Sequence, residues 1–321
     1  RPQSTDQVRI MAARQVTRKF PEGVLRAGSR WGAATGRAIR NEFGLALRTT
    51  AGRIGLPLVL FYLTLALIGP WLAPYPATEQ HLLPVENQLA APSWKYLLGT
   101  DQFGRDILSR VMSGAGSIIS MSVAGAALGI ALGTMVGMSS GYKGGKTDEV
   151  VMRVMDGLMS FPSLLLALLV LTTLGASWQN IVLTIGIVFT PGVARVMRSA
   201  TLTLKTMEFV QSARLRGEPA PYIIFIEILP NTVPVLVVEA SVRLSYAILL
   251  ASSLGFLGLG VQPPSPDWGL MISESRRFIV DAPWVALVPA GAVASLVVGV
   301  NLLSDGLRQA RGLPKQEDRD E

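Results

Sequence analysis

The chain has 321 residues, 50% of them hydrophobic and only 16% charged, with a mean hydropathy of +0.42. Soluble domains carry about 25% charged residues. Here charge is missing from several long stretches and concentrated between them, the pattern of membrane spans joined by wet loops. The net charge of +7 would suit a nucleic-acid binder if it formed one basic face, but Lys and Arg flank the apolar stretches instead. With no cysteine, disulfide frameworks and thiolate metal sites are excluded.

Residues 1–53 are Arg-rich, opposed only by Asp6, Glu22 and Glu42. A transit peptide or a nucleic-acid arm can have this composition, but a span follows directly, so we read a basic cytoplasmic extension on the membrane surface. No apolar run precedes Ile54, and no cleavable signal peptide is expected. Ile54–Ala73 is the first span, uncharged and ended by Gly69-Pro70, with Trp71 and Tyr75 as interface anchors. The polar loop after it holds His81, the one histidine, which reads as solvated, so no metal site is expected. Val111–Tyr142 is the second span, longer than a bilayer needs. Within it Gly125, Gly129, Gly133, Gly137 and Gly141 recur every fourth residue and line one face. Another helix, of this chain or a partner, can approach closely there.

Gly157–Ala194 is uncharged and long enough for two spans, turned as a tight hairpin at residues 174–180. Lys205–Glu227 is the largest internal polar loop. Ile228–Leu259 is the fifth span, interrupted by Pro230, Pro234, Glu239 and Arg243. A Pro-rich loop, Gln262–Pro283, precedes the sixth, Trp284–Ser304. The terminal segments and the loops on their side hold 23 Lys and Arg against 5 in the remaining loops, which puts both termini in the cytoplasm. The expected fold is all-α: six transmembrane helices within residues 54–312, between the basic extension and a charged cytoplasmic tail, 313–321.

Catalytic patterns are missing. There is no His-Glu-x-x-His and no Gly-x-Ser-x-Gly elbow, since Gly137–Gly141 fits that spacing only inside an apolar span, and one histidine leaves the usual nucleophiles without a base. Ser140–Thr147 imitates a phosphate-binding loop, but Ser140 replaces its first glycine and a span, not a strand, precedes it. The chain reads as non-catalytic and without a nucleotide site of its own.

The loop between spans four and five is more informative. Met207–Arg216 can form a short helix that Gly217 breaks, and Pro219 can open a second. Tyr222, Phe225 and Ile226 give that second helix an apolar face, and Leu229-Pro230-Asn231 then turns the chain into span five. Such an elbow either meets a partner surface or packs on its own helix ends. Glu239 and Arg243 lie four apart on one face of span five and can pair. Ionisable groups in a span usually face a bundle interior or a wet cavity. They either line or gate a pathway or bridge structurally to a partner subunit.

The elbow resembles the "EAA" loop of permease subunits of ATP-binding-cassette (ABC) importers. Gln211-Ser212-Ala213 stands in the Glu-Ala-Ala place, Gly217 in the glycine place, and Leu229-Pro230 in the terminal Leu-Pro place. Gln211 and Ser212 depart from the pattern, as do Arg216, Pro219 and Pro221. Leu98–Arg110, with Asp101, Arg105 and Asp106, and Ser253–Gly269 resemble the second permease of the dipeptide/oligopeptide/nickel branch. The resemblance implies that Gln211, Ser212, Ala213, Gly217, Glu218, Pro219, Tyr222, Phe225, Leu229 and Pro230 form a docking loop for an ATPase subunit. It implies a homologous second permease, two ATPase subunits carrying ATP and Mg, and an extracytoplasmic substrate-binding protein. This chain would hold no cofactor and bind no nucleic acid. It would sit in the bacterial inner membrane and import peptides or related small solutes by alternating access. A secondary transporter or channel working without ATPases, and a membrane-anchored scaffold, are the competing expectations.

Overall fold

The computed structural model describes residue 47, residues 49–77 and residues 88–310. The basic stretch 1–46, His81 and the tail 313–321 lie outside the described residues. Nine helices account for most of what is described. They are α1 (Thr50–Leu72), α2 (Ile107–Lys143), α3 (Gly145–Met159), α4 (Ser163–Leu174), α5 (Trp178–Leu204), α6 (Glu208–Leu215), α7 (Ala220–Phe256), α8 (Trp268–Ser275) and α9 (Pro283–Ala310).

Several start where a short polar side chain can accept from the first free backbone N–H groups. Thr49 caps α1 by accepting from Gly52 N–H at 3.1 Å, so the helix begins before Arg53, inside the expected extension. Asp106 caps α2 through Ser109 N–H at 2.8 Å, and Ser177 caps α5 through Asn180 N–H at 3.2 Å.

Five helices, α1, α2, α5, α7 and α9, are long and apolar enough to cross a membrane, and α3 with α4 forms a bent pair, a broken span or a re-entrant loop, that brings the number to six if it counts as one span. The third span, expected to run from Gly157 into the hairpin, is instead broken by this bend. Pro162 lacks an N–H and pushes the residue before it out of helical geometry, so α3 stops at Met159 and α4 restarts at Ser163, turned by 89°. At 12 residues α4 is about 18 Å long and cannot alone cross a hydrocarbon core of about 30 Å. Arg198–Asp148 at 2.5 Å and Arg195–Asp156 at 2.6 Å tie α3 to α5 and hold the bend. The turn between α4 and α5 falls within the expected 174–180 segment, at Gly175.

The glycine face of α2 meets α5 of the same chain. A Cβ at Gly125 would lie 2.7 Å from Cβ of Ile185, at Gly129 2.9 Å from Cβ of Phe189, and at Gly133 2.5 Å from Cβ of Val193. At Gly137 it would overlap the Ala194 carbonyl, and at Gly141 it would come within 3.1 Å of the Arg198 carbonyl oxygen. The pair thus packs backbone to side chain along its length. A second small-residue seam joins α1 to α9, where Gly55 faces Gly299 and Leu303 and Gly306 faces Gly52.

Gly133→Leu forces a side chain into Val193 and the Thr190 carbonyl. We expect a loss of about 1–3 kcal/mol, read as a lower thermal midpoint of the detergent-solubilised protein. Gly157→Ala, which meets nothing within 4 Å, should leave the midpoint unchanged or raise it.

Candidate docking elbow and intramembrane ion pair

The elbow forms at the end of the bundle where α2 and α5 both finish. α6 closes in a Schellman turn: Gly217 N–H donates to the Arg214 carbonyl at 2.9 Å and Glu218 N–H to the Ala213 carbonyl at 3.2 Å. That turn needs a left-handed residue, and Gly217 supplies it with φ +76°. Pro219 then precedes the first turn of α7.

The apolar face of the elbow differs from the expected one. Val210, Ala213, Ile223, Ile224 and Ile228 are the buried residues, and they form a small core with Met138, Val193 and Met197. Tyr222, Phe225 and Leu229 are only half-buried. The helix therefore seats its isoleucines on α2 and α5. Gln211, Ser212, Gly217, Pro219 and Ala220 stay exposed, Glu218 and Pro230 are half-exposed, and Leu215 is 90% exposed. Arg216 reaches across the turn to Glu227 at 3.1 Å, and Arg214 lies 4.9 Å from the centre of the Tyr142 ring.

Leu229-Pro230-Asn231 does not turn the chain. α7 runs on through it, because Ile223–Ile228 is wound as a π-helix in which Leu229 N–H reaches back to the Ile224 carbonyl. The wider turn accommodates Pro230, which has no N–H to give.

Glu239 and Arg243 sit further along α7. Both Nε and Nη2 of Arg243 donate to Oε1 of Glu239, at 2.7 and 2.6 Å. The pair is largely covered, 14% exposed at the glutamate side chain and 23% at the arginine. The guanidinium lies 5.6 Å from the Phe189 ring centre and against the backbone of α5 at Gly192. It borders a cavity of about 500 Å³ walled by α4, α5 and α7.

The opposite end of the bundle is a polar frame. Arg105 Nε donates to Asp101 at 2.6 Å and its Nη2 to Glu274 of α8 at 3.2 Å, while Asp106 caps α2. Asp101, Arg105 and Asp106 therefore lock the start of α2 to α8. The Pro-rich loop folds inward: Trp268 is fully buried, donates to the Val111 carbonyl at 3.0 Å and stacks edge-on to Tyr62. Asp267 caps α8 through Leu270 N–H at 2.8 Å and packs against Gly255 and Gly260. The motif Ser253–Gly269 is thus a packing device, which its glycines and single tryptophan could have signalled. Ser140–Thr147 spans the end of α2 and the start of α3 through Gly144 and Gly145, with no strand beside it among the described residues.

Residues 129–311 match the family model for the inner membrane component of binding-protein-dependent transport systems. The chain is 36% identical over 290 residues to the dipeptide transport system permease protein DppC of Alkalihalophilus pseudofirmus, covering 90% of this chain and 92% of that one. It is 40% identical over 252 residues to the glutathione transport system permease protein GsiD of Escherichia coli, covering 78% and 82%. In fold it is similar to a chain of the MetNI methionine ABC transporter in inward-facing conformations, with a TM-score of 0.52 and 17% identity, over 64% of this chain and 97% of that one. The chain belongs to the family of binding-protein-dependent transport inner membrane components. It is an ABC importer permease of the peptide branch, a multi-pass and non-catalytic membrane component of a family that works with ATPase and substrate-binding partners. A secondary transporter or channel is not supported.

Within this permease, Asp267 gives a pH test. Burial pushes its carboxyl above the ordinary 3.8, against the pull of the backbone donors of Leu270, Val261 and Gly269. As pH rises from 3.8 through the raised folded value, the unfolded chain gives up this proton first, so folding loses stability over that window. Asp267→Asn keeps a capping oxygen and removes the titration. The wild-type thermal midpoint, measured relative to the variant, should fall as pH rises above about 4; a constant difference would refute the assignment.

Proposed function

We propose that the chain forms half of the membrane pathway of an ATP-driven importer of peptides or related small solutes such as glutathione, and passes force to that pathway through the elbow. The carrying observation is the elbow itself: a Schellman turn at Gly217 presents Leu215, 90% exposed, beside Gln211 and Ser212, at the root of a continuous helix that enters the bundle. An apolar side chain held out on a rigid turn suits a cleft in a partner. The peptide-class substrate is supported by relatives named for dipeptides, di/tripeptides and glutathione.

In this reading the chain pairs with a homologous permease. Two ATPase subunits bind ATP and Mg and dock on the elbows, and a soluble protein delivers solute at the other face. The chain itself holds no cofactor. Both termini and the elbow are cytoplasmic, in line with the asymmetry of 23 against 5 basic residues. Closure of the ATPases draws the elbows together and opens the spans outward, and hydrolysis resets them. Glu239 and Arg243, beside the cavity between α4, α5 and α7, line the path.

The chain has no cysteine, so Leu215→Cys offers one reactive site on it. An impermeant maleimide should label it in lysed but not intact cells, and a maleimide–succinimide linker should join it to an ATPase subunit. Labelling in intact cells would reverse the topology. Gly217→Val, forced to a positive φ, should cost about 1–2 kcal/mol locally and lower ATP-dependent uptake into vesicles several-fold. Uptake that persists in vesicles without ATP would defeat the importer reading.

A further inference from the structure

The seat of Arg243 is built with care that a simple structural pair does not require. Gly192 lies roughly midway along α5, and a Cβ there would stand 2.5 Å from Nη2, 3.0 Å from Cζ and 3.1 Å from Nη1. The missing side chain is the space the guanidinium occupies. Phe189, one helical turn earlier on α5, offers its ring at 5.6 Å. Glu239 holds the group from one edge only, because both of its contacts come from Nε and Nη2 and end on the single oxygen Oε1. Nη1 takes no part in them.

The surroundings are those of a solute site rather than of a sealed core. Arg243 borders the cavity of about 500 Å³ together with Phe161, Leu164, Val188, Tyr246 and Ser253. That volume and that mixture of apolar wall with a few polar groups are typical of small-molecule sites. Tyr246 and Leu249 also line a second cavity, of about 630 Å³, between α7 and α9, where Asn301, Ser304 and Asp305 supply polar groups. Tyr246 and Leu249, close to Arg243 on α7, thus border both cavities.

We propose that Arg243 is where the pathway reads a carboxylate of the passing solute, and that Glu239 is its resident counter-ion. A guanidinium presents a planar fork that matches carboxylate geometry. A lone cation at this depth would be costly and would hold an anion tightly. Paired with Glu239 it is neutral as a unit, so an incoming carboxylate must compete with the glutamate. Contact is then favourable enough to orient the solute and weak enough to release it. The apolar wall tolerates varied side chains, while the carboxylate is common to every short peptide. The inference rests on the peptide-importer reading above.

The test uses cells carrying the complete transporter and measures uptake of a labelled dipeptide or glutathione, with assembly followed by co-purification of the other subunits. Arg243→Gln should lower uptake at least tenfold with assembly intact. Glu239→Gln should lower it several-fold. The double variant Glu239→Gln/Arg243→Gln should stay within twofold of Arg243→Gln; recovery toward wild type would show a structural pair and overturn the proposal. Uptake of the dipeptide's C-terminal amide, slower in wild type, should fall less than that of the acid in Arg243→Gln. An equal fold-loss for both would show a gate that ignores the carboxylate. Should the neutral variants fail to assemble, Gly192→Ala decides, since it keeps both charges and displaces only the guanidinium. Several-fold slower uptake supports the proposal, and wild-type uptake overturns it. A wild-type transporter that takes up neither solute would instead remove the peptide reading, and the inference with it.

Discussion

The close approach of α2 to α5 is the constraint on which the rest of the structure depends. Without side chains at Gly129, Gly133 and Gly137, the backbone of α2 lies directly on Phe189, Val193 and Ala194. Membrane helices gain little from hydrophobic burial against each other, since lipid is equally apolar, so surface contact at short range must supply the attraction. α5 is held by this contact, and α3, the elbow and Arg243 are in turn positioned against it. Asp148 and Asp156 of α3 find Arg198 and Arg195 there, Ile223, Ile224 and Ile228 of the elbow share a core with Val193 and Met197, and Arg243 of α7 rests on Gly192.

The two ends of the bundle are stabilised by different physics. At the elbow end the ionic contacts are partly exposed; Arg216 is 53% exposed where it meets Glu227. Pairs of that kind contribute about 0–1 kcal/mol, so they guide the turn more than they hold it. At the far end Asp101 and Arg105 are each 6% exposed and share the frame with Glu274. Removing one partner there would strand a buried charge, at a cost of about 3–5 kcal/mol. Trp268, the first residue of α8 and buried against α1 and α2, closes the same frame. The ionic contacts therefore hold the far end more firmly than the elbow end.

Much of the fold was legible because membrane spans are written in length and charge alone. The glycine ladder showed the packing face of α2, Gly217 showed the break of the elbow, and the four-residue spacing of Glu239 and Arg243 showed a pair. Four things were hidden. The bend at Pro162 was missed because residues 157–174 are uniformly apolar, and hydropathy does not register direction. The π-helix at Ile223–Ile228 was missed because proline reads as a turn former, although a widened helical turn also relieves its missing N–H. The inward course of Asp267-Trp268 was not located because the prolines mark a folded loop without its direction, whereas Gly255 and Gly260 clear room for Asp267 and Gly114 for Trp268. Gly192 carried no signal at all: its role exists only opposite Arg243, 51 residues away.

The continuity of α7 joins these observations. It is one helix of 37 residues, Ala220–Phe256. Its first turns form the elbow, Arg243 lies in its middle, and Gly255 near its end meets Asp267 of the far frame. A break at Leu229-Pro230 would have isolated the elbow from the span, and a displaced elbow could then swing without moving Arg243. Because the π-helix carries the backbone through Pro230, any rigid displacement of the elbow is also a displacement of the guanidinium relative to Gly192, whose helix is fixed on α2. The seat at Gly192 is shaped for one position of the side chain, with clearances of 2.5–3.1 Å to a hypothetical Cβ. On the proposed reading, the backbone that would receive force at the elbow is continuous with the one that carries Arg243.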